Sequence, residues 1–264
     1  MQKVTRRISF RPFRVHALVL IAGVFCLALP GSANTDQVWV HTYKLPAGGH
    51  FVLDNINGSV QVEGWDRDEV EVRAIKTSQN DERDLDQVKI EVESHPSEVD
   101  VHTRYPDGDG ADVAVEYHIH VPNHVRLGCI QTVNGSLMVR GVEGGGVLRS
   151  VNGNVEVTES SGRFNAKTTN GNLRLELRNL VDAGPMNLET VNGSVVLGLP
   201  SNASADLNVR NMNGDLYSDF PVTSTTTLPG ARAFRGRLGH GGGGQISVRT
   251  VNGGIRLLLE HPGV

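Results

Sequence analysis

The sequence predicts an all-β chain built on a β-solenoid or single-stranded β-helix-like repeat of about 20 residues. Three observations predict it. Asn-Gly pairs recur at Asn57, Asn134, Asn152, Asn170, Asn192, Asn213 and Asn252, with steps from Asn134 of 18, 18, 22, 21 and 39 residues. A near-constant period of this size marks a repeat architecture. Apolar and polar residues alternate on both sides of each pair, the period of a strand with one buried face. The 264 residues include 31 Gly but only 7 Phe, 4 Tyr and 2 Trp, which suits many turns around a narrow interior. The Gly have no three-residue period, which excludes collagen, and 38% hydrophobic residues exclude a disordered chain.

Residues 1–33 read as a signal peptide. Lys3, Arg6, Arg7, Arg11 and Arg14 precede any acid, an apolar run extends from Ala17 to Leu29, and small residues end at a cleavage site after Ala33. That run is shorter than the roughly 20 residues a membrane helix needs. No later apolar run is long enough, so no integral span is expected once the signal is cleaved. Cleavage leaves 20 basic against 29 acidic residues and takes the formal charge from −4 to −9. Such an acidic chain is a poor nucleic-acid binder. Cys26 leaves with the leader, so Cys129 has no internal partner for a disulfide.

Residues 34–127 are expected to form an antiparallel β segment or cap. Val70/Val72, Val88/Ile90/Val92, Val99/Val101 and the run from Val113 to Val121 alternate with polar residues. Asp81 to Asp86 suits one helical turn, and Pro122 ends the last strand.

Residues 128–264 carry the repeat proper. Four residues before each Asn stand Leu53, Ile130, Leu148, Ala166, Leu188, Val209 and Val248, and three after stand Val60, Leu137, Val155, Leu173, Val195, Leu216 and Ile255. These columns are the buried face. The residue three before Asn is mostly charged and faces water. A tight turn asks for positive φ, which Gly takes freely and Asn tolerates. Alone, the pair signals a type I′ turn, so stacked β-hairpins are the alternative. The residue immediately before Asn is apolar in six of seven copies. Tucking it inward at a corner favours the solenoid, whose parallel repeats would set Asn above Asn in a ladder. The 39-residue step implies a copy that lost its Asn-Gly or carries an insertion. Residues 219–240, with Pro221 and Pro229, read as an excursion loop.

Few residues invite chemistry. His118 and His120 lie two apart on a strand and point the same way, and imidazoles suit Zn or Cu, so they are the metal candidates. No Cys or carboxylate completes a familiar spacing, and a solvated strand face is the plainer reading. Gly239 to Gly244 fits G-x-G-x-x-G formally, but a strand pattern follows where a dinucleotide site needs a helix. Arg149, Arg210 and Arg249 share one column, which suits an acidic glycan or simply keeps the face soluble. The acids of the repeats are scattered. No catalytic residue and no cofactor is expected.

The stretch Asn55-Ile56-Asn57-Gly58-Ser59-Val60-Gln61-Val62-Glu63-Gly64-Trp65-Asp66-Arg67-Asp68-Glu69-Val70-Glu71-Val72 resembles the opening signature of the bacterial putative-adhesin family. The Thr-Val-Asn-Gly units and the Gly-rich stretch before Thr250 are similar too. The resemblance covers residues 38–260. It implies a β-solenoid-like fold at the envelope or cell surface and brings no catalytic residues with it. The expected function is a non-catalytic exported envelope or surface protein, an adhesin or a structural or interaction module. Its partner would be an envelope protein or a surface glycan, met in the periplasm or at the cell surface. The alternatives are a polysaccharide-acting enzyme on a β-solenoid scaffold and a periplasmic metal-binding protein.

Overall fold

Short runs of Val, Leu and Ile alternating with polar residues, broken by Gly and Asn, leave the chain little choice but strands. The computed structural model describes residues 35–78, 82–106, 112–180, 184–220, 222–223, 227–228, 231–240 and 244–260. The expected leader, 1–33, lies outside them. The N-terminal part holds β1 (Thr35–Lys44), β2 (His50–Asp54), β3 (Val60–Trp65), β4 (Glu69–Ser78), α1 (Glu82–Gln87), β5 (Lys89–His95), β6 (Glu98–Arg104) and β7 (Val113–Pro122). The repeats hold β8 (Arg126–Asn134), β9 (Leu137–Arg140), β10 (Gly146–Asn152), β11 (Val155–Ser161), β12 (Phe164–Lys167), β13 (Leu173–Asn179), β14 (Met186–Asn192), β15 (Val195–Pro200), β16 (Ala205–Asn213) and β17 (Leu216–Ser218). Last come β18 (Val222–Thr223), β19 (Thr227–Leu228), β20 (Ala231–Leu238), β21 (Gln245–Asn252) and β22 (Ile255–Glu260).

The strands form two mixed sheets, neither closed on itself. The first runs β1-β4-β7-β3-β9-β11-β13-β15-β22-β17, and the second runs β18-β20-β16-β21-β14-β12-β10-β8-β2-β6-β5. Each Asn-Gly pair separates a strand of the second sheet from one of the first, as Asn152 separates β10 from β11. The two flanking strands never pair with each other; each pairs in parallel with its counterparts in neighbouring repeats. The pairs are therefore not hairpin turns.

β2 and β3 obey the same rule around Asn57, and pair in parallel with β8 and β9. Part of the segment expected to be antiparallel is thus a parallel repeat, because Leu53, Val60 and Val62 carry the same buried columns as the later copies. The rest is mixed: β4 pairs antiparallel with β1 and β7 and β5 with β6, while β6 joins β2 and β7 joins β3 in parallel. α1 buries Leu85.

Chain order and spatial order part company at the C-terminus. β21 lies between β14 and β16, and β22 between β15 and β17. The 39-residue step hides no lost copy: it holds the insertion that lets the last repeat slot in ahead of the one before it. Within that insertion, residues 231–238 are not a loop. β20 pairs antiparallel with β16, and its Phe234 and Leu238 turn inward. Only two apolar residues fix that face among Arg and Gly, so the alternation is faint in the sequence.

Between the sheets the columns stack like on like. Val60, Leu137, Val155, Leu173, Val195 and Ile255 form one row and Val62, Val139, Val157, Leu175, Leu197 and Leu257 the next, all buried. Leu53, Ile130, Leu148, Ala166, Leu188, Val248 and Val209 face them from the second sheet. Rings are rare inside; the fully buried Phe164 stands in register with Gly146, which has no side chain. Among the described residues no helix is long and apolar enough to cross a membrane.

Candidate functional site

The Asn-Gly corners form one continuous edge. Each Asn amide donates from Nδ2 to Oδ1 of the next Asn: Asn134 to Asn57, Asn152 to Asn134, Asn170 to Asn152 and Asn192 to Asn170, each at 2.8 Å. Asn252 donates to Asn192, and Asn213 to Asn252, at 2.9 Å. All seven side chains join one ladder in the spatial order 57-134-152-170-192-252-213.

Just inside the corner, the buried residue two before Asn bonds to the neighbouring repeat. Ser150, Thr168, Thr190 and Thr250 donate their hydroxyls to the carbonyls of Gly135, Gly153, Gly171 and Gly193 at 2.9 Å, and Thr132 reaches Gly58 at 3.1 Å. This satisfies a carbonyl that the corner would otherwise bury unpaired. Asn55 and Asn211 take the same place with longer amide side chains.

The expected positive φ holds at three of the seven corner Gly and not at the other four, and at no Asn. No Asn of the ladder has positive φ; among the described non-Gly residues only Glu159 does. Gly135, Gly153, Gly171 and Gly193 also keep ordinary φ, whereas Gly58, Gly214 and Gly253 are positive. What the four share is proximity. A Cβ on any of them would lie 1.9–2.0 Å from the carbonyl oxygen of the Gly one repeat away. Gly is required so that the repeats can touch.

The residue before Asn is not tucked inward. Ile56, Val133, Val151 and Met212 are 39%, 38%, 41% and 56% exposed. The inner corner is already filled by the hydroxyl column. The chain kinks there too: the Ile56 carbonyl accepts from both Val133 and Asn134 N–H, so two successive residues face out. The edge therefore presents an aliphatic column beside the amide ladder.

The ladder makes a measurable prediction. Asn152→Asp loses the donor to Asn134 and is expected to cost about 1 kcal/mol. Adding Asn170→Asp sets two carboxylates about 4.8 Å apart. Their repulsion is roughly 1–3.5 kcal/mol for an effective dielectric of about 80 down to 20. In urea denaturation the double variant should lose more than the sum of the singles; strict additivity would count against the ladder.

The metal candidates share a face but not a centre. His118 and His120 both lie on the outward side of β7. His118 Nε2 is 3.3 Å from Glu116, while His120 has Glu63 3.6 Å from Nε2 and Glu71 3.6 Å from Nδ1. The two carboxylates of His120 thus sit on opposite sides of its ring, so one ion cannot gather them. Trp65 stacks on His120 at 5.0 Å and Arg67 lies 4.6 Å from the Trp65 ring centre. Among the described residues no three His, Cys, Asp or Glu are grouped to hold a metal. Cys129 is half-buried and burial pushes its thiol up, away from the reactive thiolate.

Several of the scattered acids of the repeats are engaged by bases. Glu156 and Glu176 both meet Arg174, the first at 3.8 Å. Glu159 bridges Arg140 at 2.6 Å and Arg178 at 3.1 Å, and Glu189 meets Lys167 at 3.3 Å. An open concavity on the first sheet is lined by Glu156, Arg174, Tyr217 and Arg256. Its Glu156 is one of the paired acids. The Gly-rich turn, of which 241–243 lie outside the described residues, runs from Gly244 into strand β21, not into a helix.

A family model described as Toastrack DUF4097 matches residues 126–257. No curated protein matches the chain in sequence. Among solved structures, a "putative cell adhesion protein" from Clostridium sporogenes is similar at 11% identity and TM-score 0.49, over 86% of this chain and 100% of that one. A "putative adhesin" from Bacteroides fragilis is similar at 10% identity and TM-score 0.41, over 84% and 97%.

Proposed function

The chain belongs to the Toastrack DUF4097 family, and from that premise we propose that it is an exported, non-catalytic contact module of the envelope or cell surface. In this reading the two sheets form a solenoid-like stack whose purpose is to present the same side chain many times in register. The observation that carries it is the Asn-Gly edge. Ile56, Val133 and Val151 stand exposed on three successive repeats and Met212 on the last, with half-buried Thr169, Val191 and Val251 between, beside seven linked amides. Aliphatic groups ranked in one exposed row mark a contact surface more than solvent would favour. An envelope protein or a surface glycan is the partner this edge suits, apolar faces on the aliphatic column and polar groups on the amides.

Val133→Asp with Val151→Asp tests it. The two new carboxylates stand beside each other on β8 and β10, so the variant should lose roughly 1–3.5 kcal/mol of stability, and its binding is read only where circular dichroism shows it folded. Saturable binding of the purified protein to envelope fractions is expected for the wild type and is expected to vanish in this variant. Unchanged binding would remove the edge as the site. Release of reducing ends from a glycan panel would instead favour an enzyme.

A further inference from the structure

A second face carries a different chemistry. On the outer side of the second sheet, the column three before Asn reads, in spatial order, Arg149, Lys167, Glu189, Arg249 and Arg210. Glu189 is taken by Lys167. Arg210 and Arg249 are register partners on adjacent strands, both exposed. Like charges directly opposite each other destabilise a sheet. Among the described residues neither makes an ion pair, and the same holds for Arg149. β20 adds a third arginine to this corner: Arg235 is in register with Asn208, diagonal to Arg210, and is also exposed and unpaired among the described residues. Three strands thus bring guanidinium groups together, and the nearest acids, Glu189 beside Arg249 and Asp206 on β16, are paired with Lys167 and Arg237, on a chain whose formal charge is −4.

A parallel row gives the surface its second character. Asn165, Asn187, Ser247 and Asn208 lie beside the cationic column, one strand each, with Asn187 N–H donating to Asn165 Oδ1 at 2.9 Å. The face therefore offers a line of neutral amide and hydroxyl groups next to a line of cations. A lone anion would engage one or two of these arginines. A linear polymer bearing both hydroxyls and regularly spaced anionic groups would engage both rows across several strands. Arginine matches carboxylate in a bidentate fork.

We propose that this face, centred on Arg210, Arg249 and Arg235, binds an acidic polysaccharide whose carboxylates meet the arginines and whose hydroxyls meet the Asn and Ser row. It is separate from the Asn-Gly edge and does not depend on that reading. The test is binding of the purified protein to polygalacturonate, with dextran as neutral polymer and polyphosphate as a polyanion without hydroxyls. Polygalacturonate is expected to bind at low salt, more tightly than polyphosphate, while dextran does not; added salt should weaken the binding. Arg210→Gln/Arg249→Gln/Arg235→Gln should weaken it by about tenfold to a hundredfold, each guanidinium supplying charge-assisted hydrogen bonds. Its melting temperature should be unchanged or raised, because a like-charge contact is gone; this separates lost binding from lost folding. Val133→Asp/Val151→Asp should bind as tightly as the wild type. Three outcomes would overturn the proposal: no binding to polygalacturonate, tighter binding to polyphosphate, or equal affinity in the arginine variant.

Discussion

Gly153→Ala is expected to cost about 3 kcal/mol or more, although it adds a single methyl group. The added Cβ would lie 1.9 Å from the Gly135 carbonyl oxygen, 2.4 Å from its carbon and 2.9 Å from Ser136 N. All three are backbone atoms, so no side chain can rotate away. They are also pinned: Gly135 N–H donates to the Asn152 carbonyl and Gly153 N–H to the Asn170 carbonyl, both at 3.0 Å. Relief means parting two repeats, which pulls on the Ser150 hydroxyl bond to Gly135 and on the amide ladder together. Gly184→Ala is the control, since its nearest neighbour is the flexible Arg163 Cδ at 3.9 Å; it should be neutral or slightly stabilising. Chemical denaturation of the two variants decides. A cost below about 1 kcal/mol for Gly153→Ala would mean that the repeats are not stacked this closely.

Ending the chain at Gly244 is expected to abolish cooperative folding altogether. The lost residues form β21 and β22, and each lies between two other strands. Their removal strips a partner from β14, β16, β15 and β17 at once. It also removes the fully buried Ile246, Val248, Ile255 and Leu257. Burying such a side chain contributes about 1.5–3 kcal/mol, so four of them rival the total of about 5–15 kcal/mol that holds an ordinary domain. The truncated chain would also expose unpaired strand edges, an invitation to aggregate. Leu257→Ala is the milder form, with an expected loss of about 2–5 kcal/mol. Thermal unfolding followed by circular dichroism checks both. A truncated chain that still melts in one sharp transition would show the last repeat to be an appendage.

What the sequence disclosed was whatever one repeat says about itself. The buried columns four before and three and five after Asn follow from alternation alone, and stacking like on like turns seven local patterns into rows. The ladder was legible for the same reason. What a repeat says about its neighbour was not. Positive φ, a local property, accounts for Gly58, Gly214 and Gly253, whereas at Gly135, Gly153, Gly171 and Gly193 the carbonyl that excludes a Cβ belongs to another repeat. The valines and isoleucine before Asn looked buried because apolar residues usually are. Nothing local shows that Thr168 or Ser150 already occupies the inner corner. The order of the last two repeats left only a 39-residue step as its trace. The arginine column was visible as a column, but Arg235 joins it only because β20 folds back on β16.

Every bond in the amide ladder points the same way, from each Asn to the one on its Asn57 side. Aligned amide dipoles add, and each hydrogen bond polarises the next. The corner edge is therefore an electrical arrow as well as a row of side chains, its negative pole at Asn213 and its positive pole at Asn57. The negative pole lies three residues from Arg210. A partner lying along this edge has a preferred direction, and one laid in reverse would meet the same atoms in the wrong field.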